Sequence, residues 1–189
     1  SVVFDAEDED EARRIRQSLV MSSLAHRFKF AVREPVKEDG PGEAPAIIAY
    51  TDGGAISHGE RPGGWGVVIR EPGKDDRELF GGERGTTNNR MELMAACEAL
   101  EALDDGSTVM VVTDSRYVRD GITSWIKQWV LHDWHTLEGK PVKNKDLWVR
   151  LLKAQEKHTV DFKWVKGHNG HAGNEKADAL ALRGRQSVA

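Results

Sequence analysis

Four carboxylates stand where carboxylates are expensive. Asp52 ends the apolar run Ile47-Ile48-Ala49-Tyr50, within Thr51-Asp52-Gly53-Gly54. Asp114 ends a second such run, Thr108-Val109-Met110-Val111-Val112-Thr113. Glu92 is set among Met91, Leu93, Met94 and Ala95, and Asp178 lies between Ala177 and Ala179. A carboxylate beside packing residues costs free energy unless it is paired or bound to a metal. Each alone has an ordinary explanation, because Asp starts turns and acidic groups suit helix N-termini. Together they form a set of hard oxygen donors, which selects Mg2+ or Mn2+ over Zn2+. That much negative charge around one crevice calls for two divalent ions, and such a pair suits in-line displacement at phosphorus. The chemistry implied is metal-dependent phosphodiester hydrolysis. A structural calcium site is the competing reading, but its ligands usually come from one loop, and these come from four separate elements. His168 and His171 would make half of a zinc site, but no thiol cluster or HExxH helix accompanies them.

The elements that must carry these residues can be read from pattern. Residues 47–50 and 108–113 are short buried strands, and 108–113 is apolar enough for a central, parallel position. Gly63 to Arg70 and a segment starting at Glu78 are two further strands, giving an antiparallel meander before the first helix. Thr86-Thr87-Asn88-Asn89 reads as the start of that helix, which carries Glu92 and an apolar stripe through Leu100 and Leu103. In a mixed sheet, adjacent parallel strands open into one crevice at their carboxyl ends, so Asp52 and Asp114 are expected to meet there. Helices follow over Tyr117–Trp129 and Asp146–His158. Val160–Val165 alternates as a fifth strand, and a last helix spans about Asn174 to Gly184. Between the middle helices, residues 130–145 mix tryptophan, histidine and lysine. That mixture fits a nucleic-acid contact surface and fits equally a set of tryptophans packing two helices together.

Net charge is −4, so bulk charge does not favour a polyanionic partner. Residues 1–45 hold 7 Lys and Arg against 10 Asp and Glu, leaving 20 against 21 for residues 46–189. The single cysteine, Cys97, excludes an intrachain disulfide and fits a reducing, cytoplasmic setting. No apolar run approaches the roughly 20 residues needed to cross a bilayer, so no membrane association is expected. The organisation expected is an extension over 1–33, a linker over 34–45 rich in Pro, Gly and charge, and a catalytic domain over 46–189. Within the extension, an acidic block at residues 5–11 precedes Arg13, Arg14 and Arg16. Val20, Leu24 and Phe28 recur every four residues, so a helix over about 7–30 is expected. Its apolar positions suit docking on the catalytic domain or on a partner protein.

Tyr50-Thr51-Asp52-Gly53, Thr86 to Ala96 (TTNNRMELMAA), Thr113-Asp114-Ser115-Arg116-Tyr117-Val118, Lys140 to Trp148 (KPVKNKDLW) and Trp164-Val165-Lys166-Gly167-His168 match a family in order and spacing. From about residue 46 to 184 the chain resembles the type 1 ribonuclease H family. The resemblance implies an α/β fold: a five-stranded mixed sheet of order 3-2-1-4-5 with helices on both faces, here with an N-terminal helical arm added. It implies endonucleolytic cleavage of the RNA strand of an RNA–DNA hybrid by two Mg2+ ions, with Mn2+ able to substitute, leaving 5′-phosphate and 3′-hydroxyl ends. Asp52, Glu92, Asp114 and Asp178 match the metal ligands, and His168 a loop histidine that aids proton transfer or product release. Glu175 matches an acidic residue beside the metals. Gly53, Asn88 and Asn89 match contacts to the minor groove and RNA 2′-hydroxyls, the group that marks RNA. Thr87 and Asn144 match a pocket for a DNA-strand phosphate, and Trp125 and Trp129 a channel for the DNA sugar. Two stretches depart from the pattern. Residues 56–63 lack the usual Asn-Pro-Gly type of turn, and Val130-Leu131-His132-Asp133 lacks the usual cationic run. A non-catalytic binding module of the same fold would lack a carboxylate, and none is missing. A catalytic piece of a longer polymerase-type polyprotein is the remaining alternative.

Overall fold

The structure, a computed structural model, describes residues 2–5, 13, 30–33, 47–58, 60–167 and 170–189. It divides into two compact units, residues 45–119 with 146–189, and residues 1–44 with 120–145.

The first unit is built on a five-stranded sheet. Its strands are β3 (Ile47–Ala55), β4 (Gly63–Arg70), β5 (Arg77–Glu83), β6 (Thr108–Thr113) and β7 (Thr159–Trp164). They lie in the order β5-β4-β3-β6-β7, which is 3-2-1-4-5 in chain order. The β3–β4 and β4–β5 pairs are antiparallel. β6 is parallel to both β3 and β7, the central parallel position its continuous apolar run requires. The register sets Thr51 opposite Thr113, so Asp52 and Asp114, each next along its chain, leave the sheet side by side.

Side chains alternate between the two faces of a strand, and two helices use this. Helix α1 (Asn88–Glu101) covers the face of Gly53 and Gly63, and α5 (Ala172–Gln186) covers the face of Gly64 and Gly66. A Cβ on Gly64 or Gly66 would collide with the backbone of α5 at Ala181, Arg185 and Ala177. These glycines let the last helix lie directly on the sheet. Val68, Ala177 and Leu180 form the core on that side, with Tyr50 packed against them. Val67, Ile69, Met91, Leu93 and Leu100 are fully buried. Each such side chain contributes about 1.5–3 kcal/mol.

Thr87 is the N-cap of α1, its side chain accepting from the Arg90 N–H at 3.2 Å. Arg90 then donates to Glu83 on β5 and in bidentate fashion to Asp146, so the start of α1 is held from two sides. Asp146 lies in α4 (Lys145–Gln155), whose Trp148 is fully buried and stacks obliquely on Tyr117.

The second unit contains β1 (Val2–Asp5) and β2 (Phe30–Arg33), paired in parallel as a two-stranded sheet. A helical arm was expected, with a helix over about 7–30. Residues 2–5, ahead of that helix, and 30–33, at its end, are strands, and Val-Val-Phe and Phe-Ala-Val are strand-forming sequences. Arg13 is helical and exposed; residues 7–12 and 14–29 of that expected helix, and the linker at 34–45, lie outside the described residues. Helix α2 (Arg116–Asp120) passes through a π-helical turn, Gly121–Trp125, into α3 (Ile126–Leu131). Beyond α3 the chain doubles back: Thr136 N–H donates to Lys140 and Val142 N–H to Trp134. Trp134 is buried at a left-handed φ of 62°. Among the described residues no helix is long and apolar enough to cross a membrane.

Candidate active site

Oxygen atoms of Asp52, Glu92 and Asp114 lie within 4.8 Å of one another. β3 delivers Asp52, β6 delivers Asp114, and α1 delivers Glu92 on its second turn. The meeting depends on Gly53. A Cβ there would collide with the backbone of Met91 and Glu92, so a glycine lets α1 press against the end of β3 and brings Glu92 beside Asp52. A second glycine, Gly167, performs the same task for Asp114, whose carboxylate occupies the space of the missing Cβ. Asp114 is further held through its backbone: the Trp164 indole N–H donates to its carbonyl at 2.8 Å. The flanking groups are also tied, with Ser115 N–H donating to Thr113 Oγ1 at 3.1 Å and Val118 N–H to Ser115 Oγ at 3.2 Å.

The electrostatics are those of crowded acids without a counter-charge. Asp52, 8% exposed, is pushed up to about 7 by burial first and by Asp114 and Asp178 next, with the Gly53 N–H opposing. Glu92, 9% exposed, is raised well above the usual carboxylate range by burial and then by Asp52 and Asp114. Its Oε2 is buried and has no hydrogen-bond partner among the described residues. A buried, unpaired carboxylate oxygen facing two more carboxylates is an unsatisfied arrangement for protein alone. It is the donor set a hard divalent cation takes, so the residues present fit such an ion.

The family model for RNase H matches residues 44–186. A ribonuclease H of Jannaschia sp. is 56% identical over 144 residues, covering 74% of this chain and 91% of the relative. One from Methylococcus capsulatus is 55% identical over 140 residues, covering 74% and 89%. The chain belongs to the ribonuclease H family. Among solved structures, LC9-RNase H1, described as a type 1 RNase H with the type 2 active-site motif, superposes with a TM-score of 0.68 at 33% identity, over 79% of this chain and 76% of that one. The PFV RNase H domain, at 22% identity and a TM-score of 0.59 over 76% and 96%, shares the fold. By family the chain is an enzyme, a ribonuclease H, acting as an endonuclease on the RNA of RNA–DNA hybrids. The family is divalent-metal dependent, in keeping with the carboxylate cluster.

The other expected site residues of this ribonuclease H fall as follows. Asp178 is exposed on α5, outside the 4.8 Å cluster but within hydrogen-bonding reach of the Asp52 carboxyl. Glu175 is exposed one turn earlier on the same helix. His168 lies outside the described residues. Asn88 Oδ1 accepts from the Ala55 N–H at 2.6 Å, tying α1 to the end of β3 and leaving its amide N–H groups outward. Thr87, Asn88 and Asn89 line a pocket of about 400 Å³ with Ala55, Ile56, Ser57, Arg61 and Thr86. Ile56, Ser57 and Arg61 of the altered turn are therefore part of that pocket, Arg61 at a left-handed φ of 49°. In the second unit, the Trp125 and Trp129 rings lie 5.8 Å apart at 50°. They line an apolar pocket of about 410 Å³ with His132, His135 and Leu137. Asn144 sits at a φ of 57° just before α4. Sequence reading quoted Trp164 within a motif without giving it a role, and passed over Arg185. The signal for Arg185 was its spacing of seven from Asp178, two helical turns on one face.

Proposed function

We propose that this chain cleaves the RNA strand of RNA–DNA hybrids with two divalent ions, Mg2+ by preference and Mn2+ as substitute, leaving 5′-phosphate and 3′-hydroxyl ends. The observation that carries this is the convergence of Asp52, Glu92 and Asp114 oxygens within 4.8 Å, with Glu92 Oε2 buried and unpartnered. Asp52, Glu92, Asp114 and, from the solvent side, Asp178 would hold the ions. Bound there, the ions supply an activated water and a stabilised leaving oxygen. The chain's own residues do the rest. Gly53 keeps α1 against β3, Trp164 and Gly167 fix Asp114, and His168 exchanges protons from its glycine-flanked loop. Glu175 adds negative charge beside the ions.

Substrate choice follows from the flanking groups. Gly53, Asn88 and Asn89 read RNA 2′-hydroxyls. Thr87 and Asn144 take a phosphate of the DNA strand, and Trp125 and Trp129 hold its sugar. The catalytic domain spans 46–189, after a linker at 34–45 and an extension at 1–33 that docks on it or on a protein partner. The cytoplasm, where hybrids and Mg2+ coexist, is the setting this reading implies.

The test is cleavage of a labelled hybrid, a DNA duplex and an RNA duplex of one sequence, each with Mg2+ and with EDTA. Cleavage of the hybrid alone, and only with metal, is expected. Equal cleavage of all three duplexes would make the protein a general nuclease, and metal-independent cleavage would remove the carboxylates from the chemistry.

A further inference from the structure

Asp52 and Asp178 share a pocket of about 410 Å³ with Gly53, Gly54, Ala181, Leu182 and Arg185. Its acidic end is the candidate metal site. Its floor is the backbone of Gly53 and Gly54, and at Gly54 a Cβ would meet nothing within 4 Å, so the floor is open. One wall is α5, and on that wall stands a cation. Asp178 and Arg185 are seven residues apart, on one face of the helix and separated by about 10 Å along its axis.

Arg185 is half-buried, yet among the described residues its guanidinium has no ion pair. By contrast, Arg70 pairs with Asp76, Arg84 with Glu60, and Arg90 with Glu83 and Asp146. A half-buried guanidinium with no ion pair among the described residues, two turns from Asp178 and in one pocket with Asp52, is placed for a ligand that bridges both ends of the pocket. The ligand's near end must be drawn to the bound cations and its far end to Arg185, so it is anionic at both ends. A sugar–phosphate strand has that character, and a planar guanidinium donates two parallel hydrogen bonds to a phosphate.

We propose that Arg185 binds a phosphate of the RNA strand neighbouring the one that is cleaved, and that this pocket is the path of the strand along the glycine floor. The inference rests on the hybrid reading above. Arg185 acts by binding and positioning, without touching the bond that breaks.

The test compares wild type, Arg185→Ala and Arg185→Lys in full-length form. Hybrid Kd is measured with Ca2+ in place of Mg2+ at several salt concentrations, and kcat and KM are measured with Mg2+. Arg185→Ala is expected to weaken binding about tenfold and to lower the slope of log affinity against log salt by roughly 0.7–0.9, the loss of one phosphate contact. Arg185→Lys should restore the slope and part of the affinity. A set of hybrids, each with one RNA phosphate replaced by an uncharged methylphosphonate, locates the contact. Wild type should lose affinity at one position beside the cleavage site, and Arg185→Ala should lose nothing further at that position. Unchanged affinity and slope in Arg185→Ala, or equal additional losses at every position, would overturn the assignment. If wild type itself fails to prefer the hybrid, the functional reading fails instead. A lowered Tm with unchanged binding would show Arg185 to be structural and would also overturn it.

Discussion

Asp52→Asn should make the metal-free protein more stable while removing its activity. The Asp52 carboxyl titrates near 3.8 when unperturbed and at about 7 in the fold. A carboxyl with a raised folded value binds its proton more tightly in the native state. Its presence therefore costs stability as pH rises from the unfolded value through the folded one, and the cost is constant above that. At about 1.4 kcal/mol per pH unit, the cost is about 2 kcal/mol at pH 5 and about 4 kcal/mol at pH 8. Asparagine has nearly the same shape, carries no charge, and can donate to Asp178 or Asp114, so it removes the cost. For a chain of this size 1 kcal/mol moves Tm by roughly 2–4 °C. Relief is shared among the acids that remain, so Asp52→Asn is expected to raise Tm by about 10 °C at pH 8 in EDTA and by about half that at pH 5.

Mg2+ should reverse the order. An ion that binds only the native state at a hundred times its Kd adds about 2.7 kcal/mol. Wild type, with its ligand set intact, should take most of that gain, and Asp52→Asn much less. The assay is thermal denaturation of both proteins at pH 5 and pH 8, each with EDTA and with Mg2+. A variant no more stable than wild type at pH 8 in EDTA would refute the argument that the carboxylates repel one another in a desolvated site. So would a gain of equal size at both pH values.

Three other outcomes follow from the same geometry. Asp114→Asn and Glu92→Gln should each lower hybrid cleavage by several orders of magnitude at saturating Mg2+ while circular dichroism shows the fold retained. Undiminished cleavage in either would remove that residue from the site. Gly53→Ala would drive a methyl group into the backbone of Met91 and Glu92, and is expected to cost about 1–3 kcal/mol in denaturant unfolding along with most activity. Trp164→Phe removes the indole donor to the Asp114 carbonyl, about 1 kcal/mol of hydrogen bonding, and should raise the Mg2+ concentration for half-maximal cleavage with little change in hybrid KM. A normal Mg2+ requirement would show that the ring only packs.

The parts of this protein visible in its sequence are those where a local pattern and a distant partner agree. Thr51-Asp52 and Thr113-Asp114 each end an apolar run, and the parallel register of β3 and β6 sets them side by side. Glu92 betrayed itself because it interrupts Met91, Leu93 and Met94 on an apolar helix. The order of the five strands came from the family resemblance rather than from pattern, and the sheet has that order. The contacts that let these residues meet did not show. That helix backbone fills the space of each missing Cβ at Gly53, Gly64 and Gly66 shows only in the fold. Arg185 was passed over despite its spacing from Asp178, because a charged residue near a helix end reads as solvated until the helix is laid on the sheet and the residue opens onto a pocket with Asp52 and Asp178. The extension also holds strands that no pattern announced. Spacing of four at Val20, Leu24 and Phe28 draws attention to a helix, while Val2–Asp5 and Phe30–Arg33, too short to show alternation, become strands because each finds the other. Strand pairing is decided between segments, here about 25 residues apart in sequence, so no window on either segment reports it. The site follows the same logic. Its chemistry belongs to carboxylates that periodicity can flag, and its geometry to close approaches that exist only once distant elements are in contact.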